Sequence, residues 1–177
     1  MNEFNTYEFV VSQKKEGKVK LYRILAVVGY VLFFLAVFAT LCVLHIPQFV
    51  AVLPIFEWIL IFFTWRYLSQ EYEYSMTSGY MTFTVIYGGR SKKKKLEVRI
   101  KDMKEIAPYD EAACARLENR GLKKDYIFVS SLDAPDMYYA VFDQEGEDQV
   151  VYFEATKKAL QILRFYNPVT VVTEVSR

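Results

Sequence analysis

Histidine and cysteine are nearly absent from this chain, and with them go the patterns that most often carry catalysis. The 177 residues hold one histidine, His45, and two cysteines, Cys42 and Cys114. A nucleophilic serine or cysteine needs an adjacent base, most often histidine. A zinc site needs three or four ligands close together. Two cysteines, one in an apolar run and one between Ala112 and Ala115, cannot build a typical zinc site and read as reduced, buried thiols. No Gly-x-Gly-x-x-Gly or phosphate-loop pattern occurs. These absences point away from an enzyme and imply no cofactor and no metal.

A second absence is more informative. From Ile24 to Trp65 there is no lysine or arginine, and Glu57 is the only acidic residue. Basic residues crowd both flanks: Lys14, Lys15, Lys18, Lys20 and Arg23 before it, Arg66 and Lys92 to Lys95 after it. A bilayer core of about 30 Å takes roughly 20 apolar residues in a helix. The stretch is twice that length and is interrupted by His45-Ile46-Pro47-Gln48, where proline resists helix continuation. Two spans are therefore expected, at about 24–44 and 49–68, with a tail at 1–22 and a domain at 69–177. A cleavable signal fits poorly, because the apolar run exceeds an h-region and no small-residue cleavage site follows. The positive-inside rule then places both termini in the cytoplasm of a two-pass protein of the cell membrane.

Within the first span, Ala26, Gly29, Phe33, Ala36 and Thr40 share one face at helical spacing, and small residues let another helix approach closely. Pairing about a turn near Pro47 sets Ala36 opposite Glu57. A carboxyl group at a helix centre costs on the order of 3 kcal/mol on insertion scales. Glu57 fits either a proton-linked or partner-binding group, or a protonated side chain that is simply tolerated. Pro54 is expected to kink the second span.

From Ser69 onward, 16 lysines and arginines balance 17 acidic residues, which argues against a nucleic-acid binder. The two-residue period of strands runs through Tyr72, Tyr74 and Met76, through Met81, Phe83, Val85 and Tyr87, and through Leu96, Val98 and Ile100. Gly88-Gly89 marks a turn. After a helical Asp110 to Asn119 segment, strands return at 125–130, 137–142 and 149–153, the last two flanking a turn at Asp143 to Gly146. Ala159, Leu160, Leu163 and Tyr166 switch to helical spacing, ended by Asn167-Pro168. Alternation at Tyr7, Phe9 and Val11 makes the tail either an added strand or a segment on the membrane surface.

Six or seven antiparallel strands capped by a C-terminal amphipathic helix is the order of a pleckstrin-homology-like (PH-like) barrel or sandwich. With the basic N-terminus, the two close spans, the Tyr72 to Tyr74 strand and the Leu96 to Ile100 strand leading to Asp102 and Ile106, the chain resembles bacterial membrane proteins that carry a PH-like domain behind a two-helix anchor. The resemblance implies an α+β membrane protein more than a specific activity. The segment 110–119 departs from the plain pattern and reads as an insertion.

Two functional readings follow. One is a membrane-anchored, non-enzymatic binding or scaffold module, with Arg90, Lys92, Lys93, Lys94 and Lys95 contacting anionic lipid headgroups. Placed on a turn between two strands, those lysines also suit a solvated hairpin tip that prevents aggregation at an exposed edge. The other is a small accessory subunit of a transporter or envelope complex, docking on an unidentified membrane protein or on itself through Glu57, Gly29, Ala36 and Thr40. The acidic residues Asp133, Asp136, Asp143, Glu145, Glu147 and Asp148 lack calcium-loop spacing and read as solvated turns.

Overall fold

The computed structural model describes residues 6–14 and 17–172. The chain divides into a β unit, made of residues up to 13, 71–86 and from 92 onward, and a helical unit, made of 14–70 and 87–91.

In the β unit the first sheet orders β1 (Thr6–Ser12), β2 (Gln70–Thr77), β3 (Tyr80–Tyr87) and β4 (Ser91–Arg99) side by side. The N-terminal tail is thus a strand, paired antiparallel from Thr6 opposite Thr77 to Ser12 opposite Glu71. Tyr7, Phe9 and Val11 face inward because the alternation lets Phe9 lie 4.7 Å from the Tyr74 ring. The second sheet orders β5 (Met103–Pro108), β7 (Met137–Gln144), β8 (Glu147–Glu154) and β6 (Lys124–Phe128). β7 is antiparallel to both β5 and β8.

The expected all-antiparallel arrangement is corrected at one place: β6 runs parallel to β8, Phe128 opposite Phe153. Parallel neighbours need a long crossover, and the segment between them contains β7 itself. β5 escaped the sequence reading because a bulge between Met103 and Glu105 breaks its alternation. The hairpin turns Ser78-Gly79 and Glu145-Gly146 have φ of 52° and 83°, and 58° and 83°. Left-handed backbone at both central residues matches strand twist.

The two sheets share an aromatic core. Tyr74, Phe83 and Phe153 are fully buried, and Phe83 stacks on Phe128 at 5.1 Å. The Tyr74 hydroxyl donates to the Phe128 carbonyl and accepts from the Glu154 amide at 3.4 Å. It therefore ties the first sheet to the ends of β6 and β8. Burial holds the Tyr74 phenol far above its usual range.

On the outer face of the second sheet lies α3 (Glu111–Glu118), started by Asp110, whose carboxylate accepts from the Ala113 amide at 2.6 Å. Ala113 and Leu117 cover Ala107, Tyr139, Val141 and Val150. The apparent insertion thus gives the sheet a second small core, which is why Met137 to Phe142 are all buried instead of alternating. An ion-pair network rims it: Arg120 bridges Glu105 at 2.7 Å and Asp148 at 3.4 Å, and Lys104 bridges Asp148 and Asp143 at 2.5 and 3.1 Å. The hydrogen bond from Lys104, reinforced by Arg120, lowers the Asp148 pKa.

Finally α4 (Lys157–Tyr166), capped by Thr156, buries Ala159, Leu160, Ile162 and Leu163 and exposes Lys157, Lys158, Gln161 and Arg164. Asn167 ends it. Its buried amide donates to the carbonyls of Ile100 and Met103, both at 2.9 Å. Beyond it, Val171 bridges Ile106 and covers the β5 edge.

In the helical unit, α1 (Gly17–Val43) is followed by a 3₁₀ turn at Pro47–Phe49, then α2 (Leu53–Trp65) and a second 3₁₀ turn at Arg66–Leu68. Among the described residues one helix is long and apolar enough to cross a bilayer, Val19–Val43, with none of its most apolar window buried. The second segment is shorter than its sequence suggested, because Pro47 to Val52 is spent on turns. Thirteen residues of α2 rise only about 20 Å. Pro54 sits in the first turn of α2 and starts the helix rather than kinking it.

Replacing Asn167 by leucine strands two buried carbonyls, so unfolding of the full chain in detergent should lose roughly 2–3 kcal/mol by denaturant titration. An unchanged midpoint would remove Asn167 from the structural core. Asp148, with its folded pKa lowered, contributes stability that is complete above its unfolded pKa and lost as pH falls through the folded value. Asp148→Asn should therefore lower the melting temperature at pH 7 and converge with the parent at acid pH. A gap that persists in acid would refute the ion-pair explanation.

Candidate functional site

The helical unit holds together through a few polar contacts between two apolar helices. The Arg23 guanidinium donates twice to the Leu68 carbonyl, at 3.0 and 2.8 Å. The Tyr30 hydroxyl meets Thr64 Oγ1 at 2.5 Å. Further along, Val37 and Leu41 share a groove with Leu53 and Phe56. Contacts that advance along α1 while retreating along α2 make the helices antiparallel. The inward stripe of α1 is Arg23, Ala26, Tyr30, Phe34, Val37 and Leu41, the spacing of one helix face.

Glu57 projects from α2 into a groove of about 350 Å³ lined by Val27, Tyr30, Val31, Phe34, Leu35, Ile61 and Trp65. It is 9% exposed, and neither carboxyl oxygen has a hydrogen-bond partner among the described residues. Glu57 shares this groove with Tyr30 and Phe34, while Ala36, expected opposite it, is exposed on a different face of α1. Of the small-residue face, Gly29, Phe33, Ala36 and Thr40 point outward, and open space surrounds Gly29. Thr40 spends its hydroxyl on the Ala36 carbonyl at 2.8 Å. The structure thus separates Glu57 from Gly29, Ala36 and Thr40.

A second cavity of the same unit, about 400 Å³, was not visible in the sequence. The C-terminal end of α2 supplies Trp58, Phe62, Trp65 and Arg66, and the turn at 87–91 supplies Gly88 and Arg90. That turn is fixed: the Gly88 amide donates to the Ser69 carbonyl at 2.8 Å, and the Tyr87 and Tyr67 rings lie 5.7 Å apart. Gly88 has φ of 58°, and a Cβ there would come 2.8 Å from the Arg66 Cβ. Only glycine fits such a backbone approach. Arg90 stacks over Phe62 at 5.4 Å, and Arg66 donates to the Tyr67 hydroxyl at 2.8 Å. Neither arginine has a carboxylate partner among the described residues. The two halves lie some 25 residues apart in the chain, so no local pattern marks them as one site.

The basic candidates are divided between the units. Arg90 belongs to the helical unit, whereas Lys92 to Lys95 run along the exposed first half of β4, an edge strand of the first sheet. They are therefore strand residues and not a turn. Lys92 pairs with Glu73, whose hydrogen bond raises the lysine pKa, and Lys94 pairs with Glu97. Part of the run's charge is thus neutralised within the sheet.

The acidic stretch is likewise engaged: Asp143 and Asp148 with Lys104, and Glu147 with Lys123. Beside it, burial first and then the bond to Glu105 push the Tyr139 phenol up to about 12. Among the described residues no group of three metal-type ligands comes together. His45 is exposed at the helical turn, its ring 2.9 Å from the Val43 carbonyl.

No curated protein matches the chain, and no solved structure does. A family described as "Bacterial PH-like domain (DUF6106)" matches residues 4–173. The match takes in both sheets and α4, the PH-like order of strands followed by a C-terminal helix, together with the apolar helices. By that extent the chain belongs to the bacterial PH-like domain family DUF6106.

Proposed function

We propose that this chain is a non-enzymatic binding or scaffold module of the bacterial cell membrane. Its PH-like domain is held at the inner surface by a two-pass hairpin with both termini cytoplasmic. The observation that carries the reading is the outward-facing apolar surface of α1, on which Leu25, Val31, Leu32 and Leu35 are half exposed or more. An apolar surface of that extent is costly in water and stable in hydrocarbon.

The antiparallel pairing from Arg23 with Leu68 to Leu41 with Leu53 supports the second pass. Together α2 and its 3₁₀ turn extend about 26 Å, near the lower limit that tilt and bilayer thinning accommodate. Arg66 and Tyr67 at its end suit the headgroup level. The basic flanks support the orientation.

Single cysteines in a Cys42→Ser, Cys114→Ser background test this with a membrane-impermeant maleimide on intact cells. Gln48→Cys should label before lysis, and Ser12→Cys and Asp133→Cys only after it. Protection of Gln48→Cys until lysis, or labelling of Asp133→Cys in intact cells, would overturn the two-pass topology.

The second reading, an accessory subunit docking through the hairpin, is favoured by Glu57 alone. A buried carboxyl with both oxygens unpartnered costs several kcal/mol, a cost that a donor on a neighbouring membrane helix would offset. A photo-crosslinker at Phe34 in native membranes should give one discrete adduct that Glu57→Leu removes and Glu57→Gln keeps. The same adduct in Glu57→Leu would remove docking through the carboxyl group.

A further inference from the structure

The cavity formed by the end of α2 and the 87–91 turn combines an aromatic floor with two arginines that have no acidic partner among the described residues. Trp58 is 65% exposed and Phe62 46%, so the floor is open to an acyl chain. The Arg90 guanidinium carbon lies over the Phe62 ring, 5.4 Å from its centroid. A guanidinium held over a ring can still present its forked N–H donors to phosphate oxygens. Arg66, at the end of the apolar helix, lines the same cavity, its guanidinium over the Tyr67 ring and donating to the Tyr67 hydroxyl at 2.8 Å. Gly88, locked against the Arg66 backbone, holds the two in fixed register. Such a site costs little to organise when a ligand arrives.

From this juxtaposition we infer that the Trp58, Phe62, Arg66 and Arg90 cavity binds one anionic phospholipid, its phosphate between the two guanidiniums and an acyl chain along the rings. Inorganic phosphate alone would make no use of the aromatic floor, and a neutral lipid would leave the two positive charges unmatched. The strand lysines are a poorer receptor, because Lys92 and Lys94 are already held by Glu73 and Glu97. The inference rests on the membrane-anchored reading, since it requires the end of α2 to lie at headgroup depth.

The chain supplies its own reporter: its two tryptophans, Trp58 and Trp65, both line this cavity. The full-length protein is placed in mixed micelles, and quenching of its intrinsic fluorescence by dibrominated phosphatidylglycerol and by dibrominated phosphatidylcholine is compared. The parent protein should be quenched at lower mole fraction by the anionic lipid. Arg66→Gln and Arg90→Gln should each reduce that preference roughly fivefold, the gain of one basic side chain at an anionic surface. Arg66→Lys with Arg90→Lys should keep most of it, which separates charge from misfolding. Replacing Lys92 to Lys95 together by glutamine should leave it unchanged.

Equal quenching by both lipids in the parent would overturn the inference, as would loss of preference in the lysine variant but not in the arginine variants. A tryptophan shift with inorganic phosphate equal to that with lipid would overturn the lipid assignment. Resistance of each variant to alkaline extraction from membranes is measured alongside. Lost preference with retained extraction resistance bears on the lipid site alone, whereas lost resistance bears on the anchor.

Discussion

An apolar helix that leaves most of its hydrophobic side chains uncovered sets the terms for the rest of the helical unit. Val19–Val43 has no buried window of its own, so its stability depends on what surrounds it and not on a protein core. The polar contacts that do occur between the helices join α1 to the last turn of α2 and the 3₁₀ turn after it. Arg23 takes the Leu68 carbonyl, Tyr30 meets Thr64, and Thr64 in turn bonds to the Leu60 carbonyl at 2.6 Å. In a low-dielectric surrounding each such contact is strengthened and each omission penalised. Glu57 stands out because it alone breaks this rule among the described side chains of the two helices.

The β unit solves a different problem, that of burying two sheets with about one hundred residues. Its inner faces meet through aromatic rings, and the Tyr74 hydroxyl converts what would be a buried polar liability into a link with Phe128 and Glu154. The outer face of the second sheet is too apolar to be left open, and α3 closes it. Arg116 of α3 and Arg120 just beyond it reach Glu105 of the sheet through exposed ion pairs of modest worth. Part of the charge seen in the sequence is thus spent on internal pairing. Arg66 and Arg90 have no carboxylate partner among the described residues and sit together at one cavity.

Much of this was legible beforehand. The apolar run, the strand alternation at Tyr72 to Met76 and Met81 to Tyr87, the glycine turns and the amphipathic Ala159 to Tyr166 segment are local patterns with local physical causes. The strands, turns and C-terminal helix are found where these patterns put them, and the apolar run gives one helix of membrane-spanning length where two were expected. The start of α2 was placed too early because turn residues between helices carry no periodicity that would reveal their count. β5 was missed because its bulge breaks the alternation. The parallel pairing of β6 with β8 depends on which strands lie adjacent, a matter of chain path and not of composition. Gly29, Ala36 and Thr40 form a good face by spacing, yet the packing stripe of α1 is the neighbouring one through Tyr30, Phe34 and Val37.

What the sequence by itself determined is the division of the chain into an apolar, lysine-free segment and a β-rich domain of PH-like order. Hydrophobic burial and strand periodicity act through composition and nearest neighbours, so they can be read without coordinates. Only the tertiary structure decided which side chains meet. It put Glu57 into a groove with no hydrogen-bond partner among the described residues and moved the Lys92 to Lys95 run from a turn onto an edge strand. It also brought Arg66 and the two tryptophans beside Gly88 and Arg90. The reason is distance along the chain: those groups are joined by the fold's closure of long loops, and no local propensity encodes where such a loop will return.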